Sequence, residues 1–512
     1  MSRTVVMMAL CLVSAPIAGA EVLRLACFGK QVASLDPLSP AFDPDSYTVI
    51  TQIFDPLVYL DLEGKLQPGL ATSWHQLEPT LWEFELRRGV RFHNGELFDS
   101  RAVVFTFNYL LDVDHNAGNA WIFSSIEAVE AVPGDPYRVR FRTKYPDGLF
   151  LARHSMFGSI CPPDYFRAVG PTAFRDHPIG TGPFRFRESE SGRTIELERN
   201  PDYWRKGLPQ IDGLRFEILP EDTWVAAFAT GRVDFLPNLA GNRTSLLMER
   251  AHGDARIIKR LVLSGYQVLI RNRGPLAQRS VRQALNHAVN KQALVHYADF
   301  GNARVLASLG KQGEFGAASG LAVYEYDPRK AARMLDEAGV TRPLRLRAIV
   351  ADIAAPIARI MAFDFAQIGV ELELTILSRA EWARRVVSHK LQHGTPPDFD
   401  FAINLVDNPT CDLAFHAGLF LESTSPWALL DDPEYDAHYQ RALRSTQRAQ
   451  HRRQFEALDR YIHDEALMIF TTQRVITAAV RQRLRVPGFA LSGHLDYLML
   501  SSARYEKRRE GR

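Results

Sequence analysis

The chain has few cysteines and almost no excess of either charge. Four of its 512 residues are cysteine, and Cys11 lies within the first twenty. The other three, Cys27, Cys161 and Cys411, are an odd number at wide spacing, so we expect three buried thiols and no essential disulfide, although an oxidising compartment would permit one. A formal net charge of +2 argues against a nucleic-acid partner, which requires a basic face.

The first twenty residues lack an apolar run long enough to cross a membrane. Arg3 is followed by a short apolar run, residues 5–13, and then by Ala18-Gly19-Ala20, an order typical of a signal peptide and its cleavage site. Residues 1–20 are therefore predicted to be a signal peptide. The mature chain is predicted to be exported, periplasmic and not membrane-spanning.

Common enzyme signatures are absent as well. The sequence carries no G-x-S-x-G nucleophile turn, no H-E-x-x-H zinc motif and no phosphate-binding G-x-x-x-x-G-K-[S/T]. Gly180-Thr181-Gly182 lacks the third glycine and the helix start of a dinucleotide site. We predict that the protein is not an enzyme and holds no cofactor or metal of its own. A secreted hydrolase is the alternative from another class, and it would require a nucleophile–base pair or paired carboxylates in a cleft.

Strand-like and helix-like periods alternate along residues 21–512, which are enough for two or three domains and indicate α/β lobes. Helices are predicted over 101–111 (with Asp99 or Ser100 as N-cap), 223–230, 279–289, 328–338, 355–367, 379–389 and 447–464. Strands are predicted over 214–219, 233–236, 267–271, 370–376, 399–405 and 469–472. Gly231, Gly339 and Gly369 follow helices, at positions where a left-handed cap residue is favoured.

The most informative segment is 178–204. Two glycines around Thr181, bounded by prolines, predict a sharp turn with unusual backbone angles. The alternating residues on either side of Ser191-Gly192 predict a β-hairpin. The segment ends in Asn200-Pro201-Asp202-Tyr203-Trp204.

Both ends of this segment resemble a family signature. The GTGPF turn and the ERNPDYW end look like those of the family 5 extracellular solute-binding proteins, the receptors that supply peptides, nickel complexes and some sugars to ABC importers. Other segments resemble the same family in the expected order, at 34–37, 67–74, 86–95, 281–289 and 326–339.

The resemblance implies an α/β fold of the class II periplasmic-binding-protein type, a clamshell of two lobes with an extra inserted domain. Lobe I would comprise 21–53, 178–272 and 476–512, the inserted domain 54–177, and the second lobe 273–475, with hinge crossings near 270 and 476. Closure would bury a ligand between the lobes. The implied partners are a peptide-like small ligand and an inner-membrane ABC permease, and the protein would act as a monomer.

The best candidate for ligand binding is Asp407, which ends an apolar strand before a polar loop. A carboxylate from which closure of the lobes excludes water could pair strongly with an ammonium group. Peptide-binding members of the family hold the peptide amino terminus with the first Asp of a similar D-x-x-D-P-D-x-F segment, and Asp407 matches that Asp by register, with Asn408 beside it. The alternative is an Asp that only caps the following turn.

The resemblance adds a second contact segment in the first lobe. Ala41, Phe42 and Asp43 correspond to a loop that touches ligand in oligopeptide receptors, although an ordinary surface loop is the alternative reading. The arginine with which dipeptide receptors hold the ligand carboxylate falls at Ala348 in this chain, with Arg345 and Arg347 nearby. The carboxylate clamp is therefore not carried over.

Two other ligand classes stay open within the same fold. Cys411, Asp412 and His416 are close in sequence and keep a nickel or other metal complex as an alternative. An oligosaccharide is a further alternative, and it would require stacked aromatic side chains along the cleft. Trp74, Trp82, Trp204 and Trp224 are expected in the core instead. A periplasmic chaperone or sensor could use the same clamshell.

Overall fold

The computed structural model describes residues 21–27, 32, 34–39, 44–115, 117–391, 397–493 and 497–506. The strands are β1 (Val22–Ala26), β2 (Val58–Leu60), β3 (Leu66–Pro68), β4 (Ala71–Glu78), β5 (Leu81–Leu86), β6 (Ile126–Ala131), β7 (Arg138–Thr143), β8 (Phe184–Glu190), β9 (Thr194–Arg199), β10 (Gly213–Glu217), β11 (Phe235–Leu236), β12 (Arg256–Ile270), β13 (Ala303–Val305), β14 (Leu344–Ala351), β15 (Val370–Leu377), β16 (Phe401–Asp407), β17 (Met468–Ile469), β18 (Thr472–Val480), β19 (Leu484–Arg485) and β20 (Arg504–Tyr505). The α-helices are α1 (Pro44–Ile53), α2 (Ser100–Leu111), α3 (Phe150–Phe157), α4 (Pro163–Asp176), α5 (Trp224–Ala229), α6 (Thr244–Arg250), α7 (Arg279–Ala288), α8 (Lys291–Ala293), α9 (Pro328–Glu337), α10 (Ala355–Ala366), α11 (Arg379–Leu391), α12 (Leu413–Leu421), α13 (Pro433–Leu443), α14 (Arg448–Asp464) and α15 (Tyr497–Ser501).

One continuous sheet runs through both lobes. Its strand order is β15-β14-β16-β12-β18-β11-β1-β10-β9-β8. Strand β12 is 15 residues long and connects the two parts. Its first half, Arg256–Leu261, pairs with β18, and its second half, from Ser264 to Ile270, pairs with β16. The β12–β18 register shifts between Leu261 and Gly265, and pairing with β18 resumes at Gly265, which also pairs with β16 on the other edge of β12.

The second lobe has a hydrophobic core of its own. Its buried apolar side chains come from the second half of β12 and from α7, α9, α10, β14 and β16, and they include Leu285, Leu335, Phe365 and Phe401. The protein is therefore an α/β clamshell of two lobes, as the sequence predicts. The exact domain boundaries given above stay a prediction.

A separate four-stranded antiparallel sheet, β4-β5-β7-β6, lies within the region predicted to be inserted. Helices α2 and α3 pack on it around an aromatic core. His154 is completely buried there, 4.4 Å from the ring centroid of Phe150, and burial lowers the pKa of its imidazole to about 4. This histidine is a neutral core residue.

The signature turn is built around close approach, not around unusual backbone angles. Neither Gly180 nor Gly182 has a positive φ, which corrects the expectation drawn from the sequence. A Cβ on Gly180 would lie 2.1 Å from the Ile53 carbonyl oxygen, and the Gly182 amide donates to that oxygen at 2.8 Å. The turn needs glycine because it packs directly against the backbone at the end of α1.

A buried carboxylate joins the two ends of the signature. Asp55 has no exposed surface and accepts three hydrogen bonds, from the Thr181 hydroxyl at 2.9 Å, the Tyr203 hydroxyl at 3.0 Å and the Trp204 indole nitrogen at 2.8 Å. Burial raises the pKa of Asp55 to about 6. The GTGPF turn and the NPDYW end therefore meet at one acid.

The local predictions agree with these elements in several places. The Asp99 side chain accepts from the Arg101 amide as N-cap of α2, and Gly231, Gly339 and Gly369 have φ between 72° and 79°. Gly192, at the hairpin turn between β8 and β9, has φ 70°. Cys27, Cys161 and Cys411 are all buried thiols. Across the described ranges, no helix is both long enough and apolar enough to cross a membrane.

Candidate functional site

A cavity of about 600 Å³ lies between the lobes. One side is formed by α1, by residues 118–121 and by the end of α3. The other side comes from the start of α11, the end of β16, the loop that follows it, and α12. Its lining comprises Tyr47, Gly118, Trp121, Met156, Phe157, Arg379, Ala380, Trp382, Ala383, Asn404, Val406, Asp407, Pro409, Phe415, His416, Leu419, Phe420 and Trp427.

Asp407 lines this cavity at the end of β16. Its side chain is half-buried, and among the described residues no group donates a hydrogen bond to its carboxylate or pairs with it as a cation. It does not cap the following turn, which was the alternative reading. The carboxylate is therefore available to a cationic or hydrogen-bond-donating ligand group. Its assignment as a ligand contact stays a prediction.

The Asn408 side chain, unlike that of Asp407, hydrogen-bonds within the loop that follows β16. Its amide nitrogen donates to Glu314 and, at 2.8 Å, to the Asp412 carbonyl oxygen. Its amide oxygen accepts from the backbone and hydroxyl of Thr410 at 3.1 and 2.8 Å. Asn408 is fully buried and outside the cavity lining, so we assign it to the shape of the loop and leave it out of the proposed ligand contacts.

Asp412 begins α12 and has a capping role. Its carboxylate accepts from the Ala414 amide at 3.0 Å and lies 3.4 Å from His451 Nε2. The other His451 nitrogen lies 3.0 Å from the Ser445 carbonyl oxygen. Burial alone would lower the pKa of His451. The charge of Asp412 and the acceptors that face both ring nitrogens outweigh burial, so the pKa of His451 is raised.

His416 projects from α12 into the lining with one nitrogen engaged and one unpaired. Nε2 lies 3.1 Å from the Asp407 carbonyl oxygen, so Nε2 carries the proton, and Nδ1 has no partner among the described residues. Burial, reinforced by the charge of Lys311, holds the pKa of His416 well below its usual value. The site therefore contains a neutral imidazole whose Nδ1 lone pair is unpaired but buried.

The trio of Cys411, Asp412 and His416 does not assemble. Cys411 faces a different, smaller cavity, Asp412 caps its helix, and His416 alone lines the main cavity. In the part of the chain that the structure describes, no group of three or more His, Cys, Asp or Glu side chains could hold a metal ion.

Aromatic side chains line much of the main cavity, and none of them was identified from the sequence. Trp382 and Trp427 stack with centroids 6.1 Å apart. Trp121 and Phe157 each stack on Phe415 across the cavity, both at 6.2 Å. The tryptophans expected in the core, Trp74, Trp82, Trp204 and Trp224, are all outside the lining. The wall tryptophans could not be assigned from the sequence because they come from segments far apart in the chain.

Arg379 is the cationic lining residue that sequence reasoning missed. It is exposed and follows β15 by two residues. Strands β15 and β16 both run parallel to β14, so Arg379 and Asp407 lie at the same edge of the sheet. A polar residue after a strand end was the signal that identified Asp407, and it applies equally to Arg379. Ala348, by contrast, is buried in β14.

Ala41, Phe42 and Asp43 lie outside the described residues, so their predicted role is not tested by the structure. The described neighbours on both sides are held in place. Buried Asn119 donates to the Pro37 carbonyl oxygen at 3.3 Å and to the Tyr47 hydroxyl at 3.1 Å. These bonds join the segment before α1 to the segment that carries Trp121.

Comparison with known proteins finds bacterial solute-binding proteins. A family model described as bacterial extracellular solute-binding proteins, family 5 Middle, matches residues 65–404. The nickel-binding periplasmic protein of Escherichia coli (strain K12) is 29% identical over 370 residues, 67% of this chain and 69% of that protein. The glutathione-binding protein GsiB of Pectobacterium atrosepticum is 26% identical over 489 residues, 91% of each chain.

A solved structure shows the same fold. The periplasmic binding protein DppA from Helicobacter pylori, in complex with peptide STSA, superposes with a TM-score of 0.80 at 21% identity. The superposition covers 95% of this chain and 98% of the DppA chain. The chain belongs to the family 5 extracellular solute-binding proteins. The family is one of binding components of ABC importers, and it is not a family of enzymes.

Proposed function

We propose that this chain is exported to the periplasm, captures a short peptide-like ligand with a free amino terminus in the cavity between its lobes, and delivers it to an inner-membrane ABC permease. The observation that carries the proposal is the half-buried Asp407 carboxylate, which lines the cavity with no partner of its own among the described residues. The protein acts as a monomer and performs no chemistry on the ligand.

The charges in the lining support a ligand with two ionised ends. Asp407 supplies an anion and Arg379 a cation at the same sheet edge, which complements an ammonium group and a carboxylate. A hydrogen bond to a charged group contributes about 1.5–3 kcal/mol when water is excluded. A neutral ligand could hydrogen-bond to both groups but would not neutralise their charges.

The walls and the volume support a small ligand with apolar side chains. Trp382, Trp427 and Phe415 offer flat apolar surface, and burial of such surface contributes about 25 cal/mol per Å². A volume of about 600 Å³ lies within the range of about 300–1,000 Å³ that is usual for drug-sized ligands. A peptide of a few residues fits this description.

A thermal-shift screen of short peptides, metal–amino-acid complexes and oligosaccharides, followed by calorimetry of the hits, tests the proposal. Ligand raises the melting temperature by mass action. Asp407→Asn should weaken peptide binding by about 10- to 100-fold, as expected for the loss of a charge-assisted hydrogen bond. The matched control is Asp431→Asn, which removes a carboxylate that is 63% exposed in the second lobe. Equal affinity of all three proteins would remove Asp407 from the site.

A metal complex is the second candidate, and one observation favours it. His416 lines the cavity as a neutral imidazole whose unpaired Nδ1 is buried, so a metal would reach Nδ1 only after the side chain turns toward the cavity, and imidazole suits nickel, copper and zinc. A relative with 29% identity is named nickel-binding. One imidazole is a single ligand, so the metal would arrive with its other ligands already attached. A shift with nickel–histidine that is lost in His416→Gln, and none with peptides, would favour this candidate.

The remaining alternatives have less support. Stacked aromatic rings line the cavity, as an oligosaccharide site would require, and sugar hydroxyls could hydrogen-bond to Asp407 and Arg379, but a neutral sugar would not neutralise their charges. A hydrolase with paired carboxylates would need a second acid, and Asp407 is the one carboxylate among the described lining residues.

A further inference from the structure

A second, smaller cavity adjoins the main one. It has a volume of about 40 Å³, more than the roughly 10–15 Å³ that one water molecule needs. Two residues, Met156 at the end of α3 and Pro409 in the loop after Asp407, line both cavities. We call the smaller cavity the inner chamber and these two side chains the partition.

The inner chamber has a different chemical character from the main cavity. Its lining combines the hydroxyl groups of five residues and the Asp61 carboxylate with apolar side chains. The hydroxyl groups belong to Thr51, Tyr59, Ser155, Ser159 and Ser492, and the apolar side chains include Phe54, Pro56, Leu60 and Ala490. The chamber therefore suits a small hydrogen-bonding group, such as a hydroxyl or an amide, or the water that replaces it.

The loop that forms one side of the partition is held in a costly conformation. Cys411 has φ 53°, which non-glycine residues adopt rarely, and its backbone nitrogen donates to the Asn408 carbonyl oxygen at 3.4 Å. A Cβ on Gly64 would lie 2.9 Å from Cys411 Cβ, so the loop is pressed against this turn. Asn408, Glu314 and Gly64 thus fix the position of Pro409.

Met156 is the adjustable side of the partition. It is half-buried, unbranched and flexible, whereas Pro409 is fixed by its ring and by the loop. Removing the side chain beyond Cβ would join the two cavities without touching Asp407 or Arg379.

We propose that Met156 and Pro409 divide the binding site into the main cavity and an inner chamber lined in part by hydroxyl groups, and that Met156 determines whether a ligand group can enter this chamber. Pro409 is two residues from Asp407, within about 7 Å along the chain. The chamber would therefore receive a small polar group carried next to the ligand ammonium, such as a serine side chain at the first position of a peptide. This last step rests on the proposed function, while the partition itself does not.

A thiol probe tests the partition without a ligand. Cys411 lines the inner chamber and is 4% exposed, with Gly64 packed on its other side. Methyl methanethiosulfonate, which leaves a methyl disulfide on a thiol, is small enough to enter the chamber from the main cavity. Modification of Cys411 is measured by peptide mass spectrometry over time, and Cys161, which is fully buried in the core, reports any general loosening of the fold.

Met156→Ala should speed the modification of Cys411 by at least about tenfold over wild type, with Cys161 unmodified in both. Met156→Leu, which conserves volume, should match wild type. Met156→Val gives a smaller opening and serves if the alanine variant fails to fold. Equal Cys411 rates in wild type and the opened variant, or a rise that Cys161 shares, would overturn the partition.

A peptide pair tests the chamber's ligand. Ser-Leu-Leu should bind wild type about fivefold more tightly than Ala-Leu-Leu, as expected for one buried hydrogen bond. Equal affinities would overturn the assignment of the chamber. If neither peptide binds, the same serine-to-alanine comparison is made at the first position of the best peptide from the screen. If no peptide in the screen binds, the proposed function fails, and the thiol result still decides whether Met156 and Pro409 form the partition.

Discussion

Replacing Asp55 by alanine and by asparagine tests how the signature segments are held together. In Asp55→Ala, the Thr181 and Tyr203 hydroxyls and the Trp204 indole lose their acceptor in a site with almost no solvent. Each buried donor left without a partner costs about 1–3 kcal/mol. The loss is partly offset because the alanine variant no longer buries a carboxylate.

The size of that offset follows from the pKa. Burial raises the pKa of Asp55 from 3.8 to about 6, a difference that corresponds to about 3 kcal/mol in favour of the protonated acid. The three donors together cost about 3–9 kcal/mol, so the net cost of Asp55→Ala near neutral pH is about 0–6 kcal/mol.

Asp55→Asn should behave differently. Oδ2 accepts from Thr181 and Trp204, and Oδ1 accepts from Tyr203. An asparagine can place its oxygen toward Thr181 and Trp204 and donate from its amide to the Tyr203 hydroxyl, which turns to accept. We expect a stability within about 1 kcal/mol of wild type near pH 4, where wild type is also neutral.

The pH dependence has a defined sign. Because the folded-state pKa of Asp55 is raised, the folded protein holds this proton more tightly than the unfolded chain between about pH 4 and 6. Wild type therefore loses stability from this group as the pH rises through that window, and the asparagine variant does not. Urea unfolding across this range should show the variant gaining up to about 3 kcal/mol on wild type. A pH-independent difference between the asparagine variant and wild type, or an alanine variant within about 0.5 kcal/mol of wild type near pH 4, where the offset is absent, would refute the reasoning.

Two further predictions concern the signature turn and the pair formed by His451 and Asp412, the N-cap of α12. Gly180→Ala places a Cβ 2.1 Å from the Ile53 oxygen and should destabilise by more than about 3 kcal/mol, whereas Gly192→Ala, with nothing within 4 Å, should cost only about 1 kcal/mol in thermal unfolding. Asp412 raises the folded-state pKa of His451, so the contribution of this pair to the free energy of unfolding should be complete below about pH 6 and lost as the pH rises further. His451→Gln should therefore lower the urea midpoint most at acid pH and progressively less above neutrality. Equal destabilisation by Gly180→Ala and Gly192→Ala would contradict the first prediction, and an effect of His451→Gln that does not change with pH would contradict the second.

Local sequence patterns predicted the elements with clear periods and caps. The helices at α7, α9, α10 and α14 begin and end within a residue or two of the expected positions, because their apolar positions recur every three to four residues. Helix α12 was missed. Eight of its nine residues are buried, so it has no polar face to give a period.

The signature turn was located correctly but explained wrongly. Its glycines are required by the neighbouring backbone of Ile53, and Ile53 is more than 120 residues away in the chain. A close approach between distant segments leaves no mark in the local sequence beyond the glycines themselves. The same holds for Asp55, whose three donors come from residues 181–204.

The candidate site divides in the same way. Asp407 and Arg379 follow the strand-end rule and could be found from the sequence. The aromatic walls, the inner chamber and the tautomer of His416 depend on packing between α1, α3, α11 and α12. These contacts are set by the tertiary fold, and no local pattern encodes them.

The most direct measurement of the central claim is a calorimetric cycle between Asp407 and the ligand ammonium. The best peptide from the screen is titrated as the free amine and as its N-acetyl derivative, into wild type and into Asp407→Asn. Either change alone should weaken binding by about 10- to 100-fold, and both together should weaken it little further. Fully additive losses, or equal binding of the free and acetylated peptides by wild type, would contradict the claim that this carboxylate receives the amino terminus.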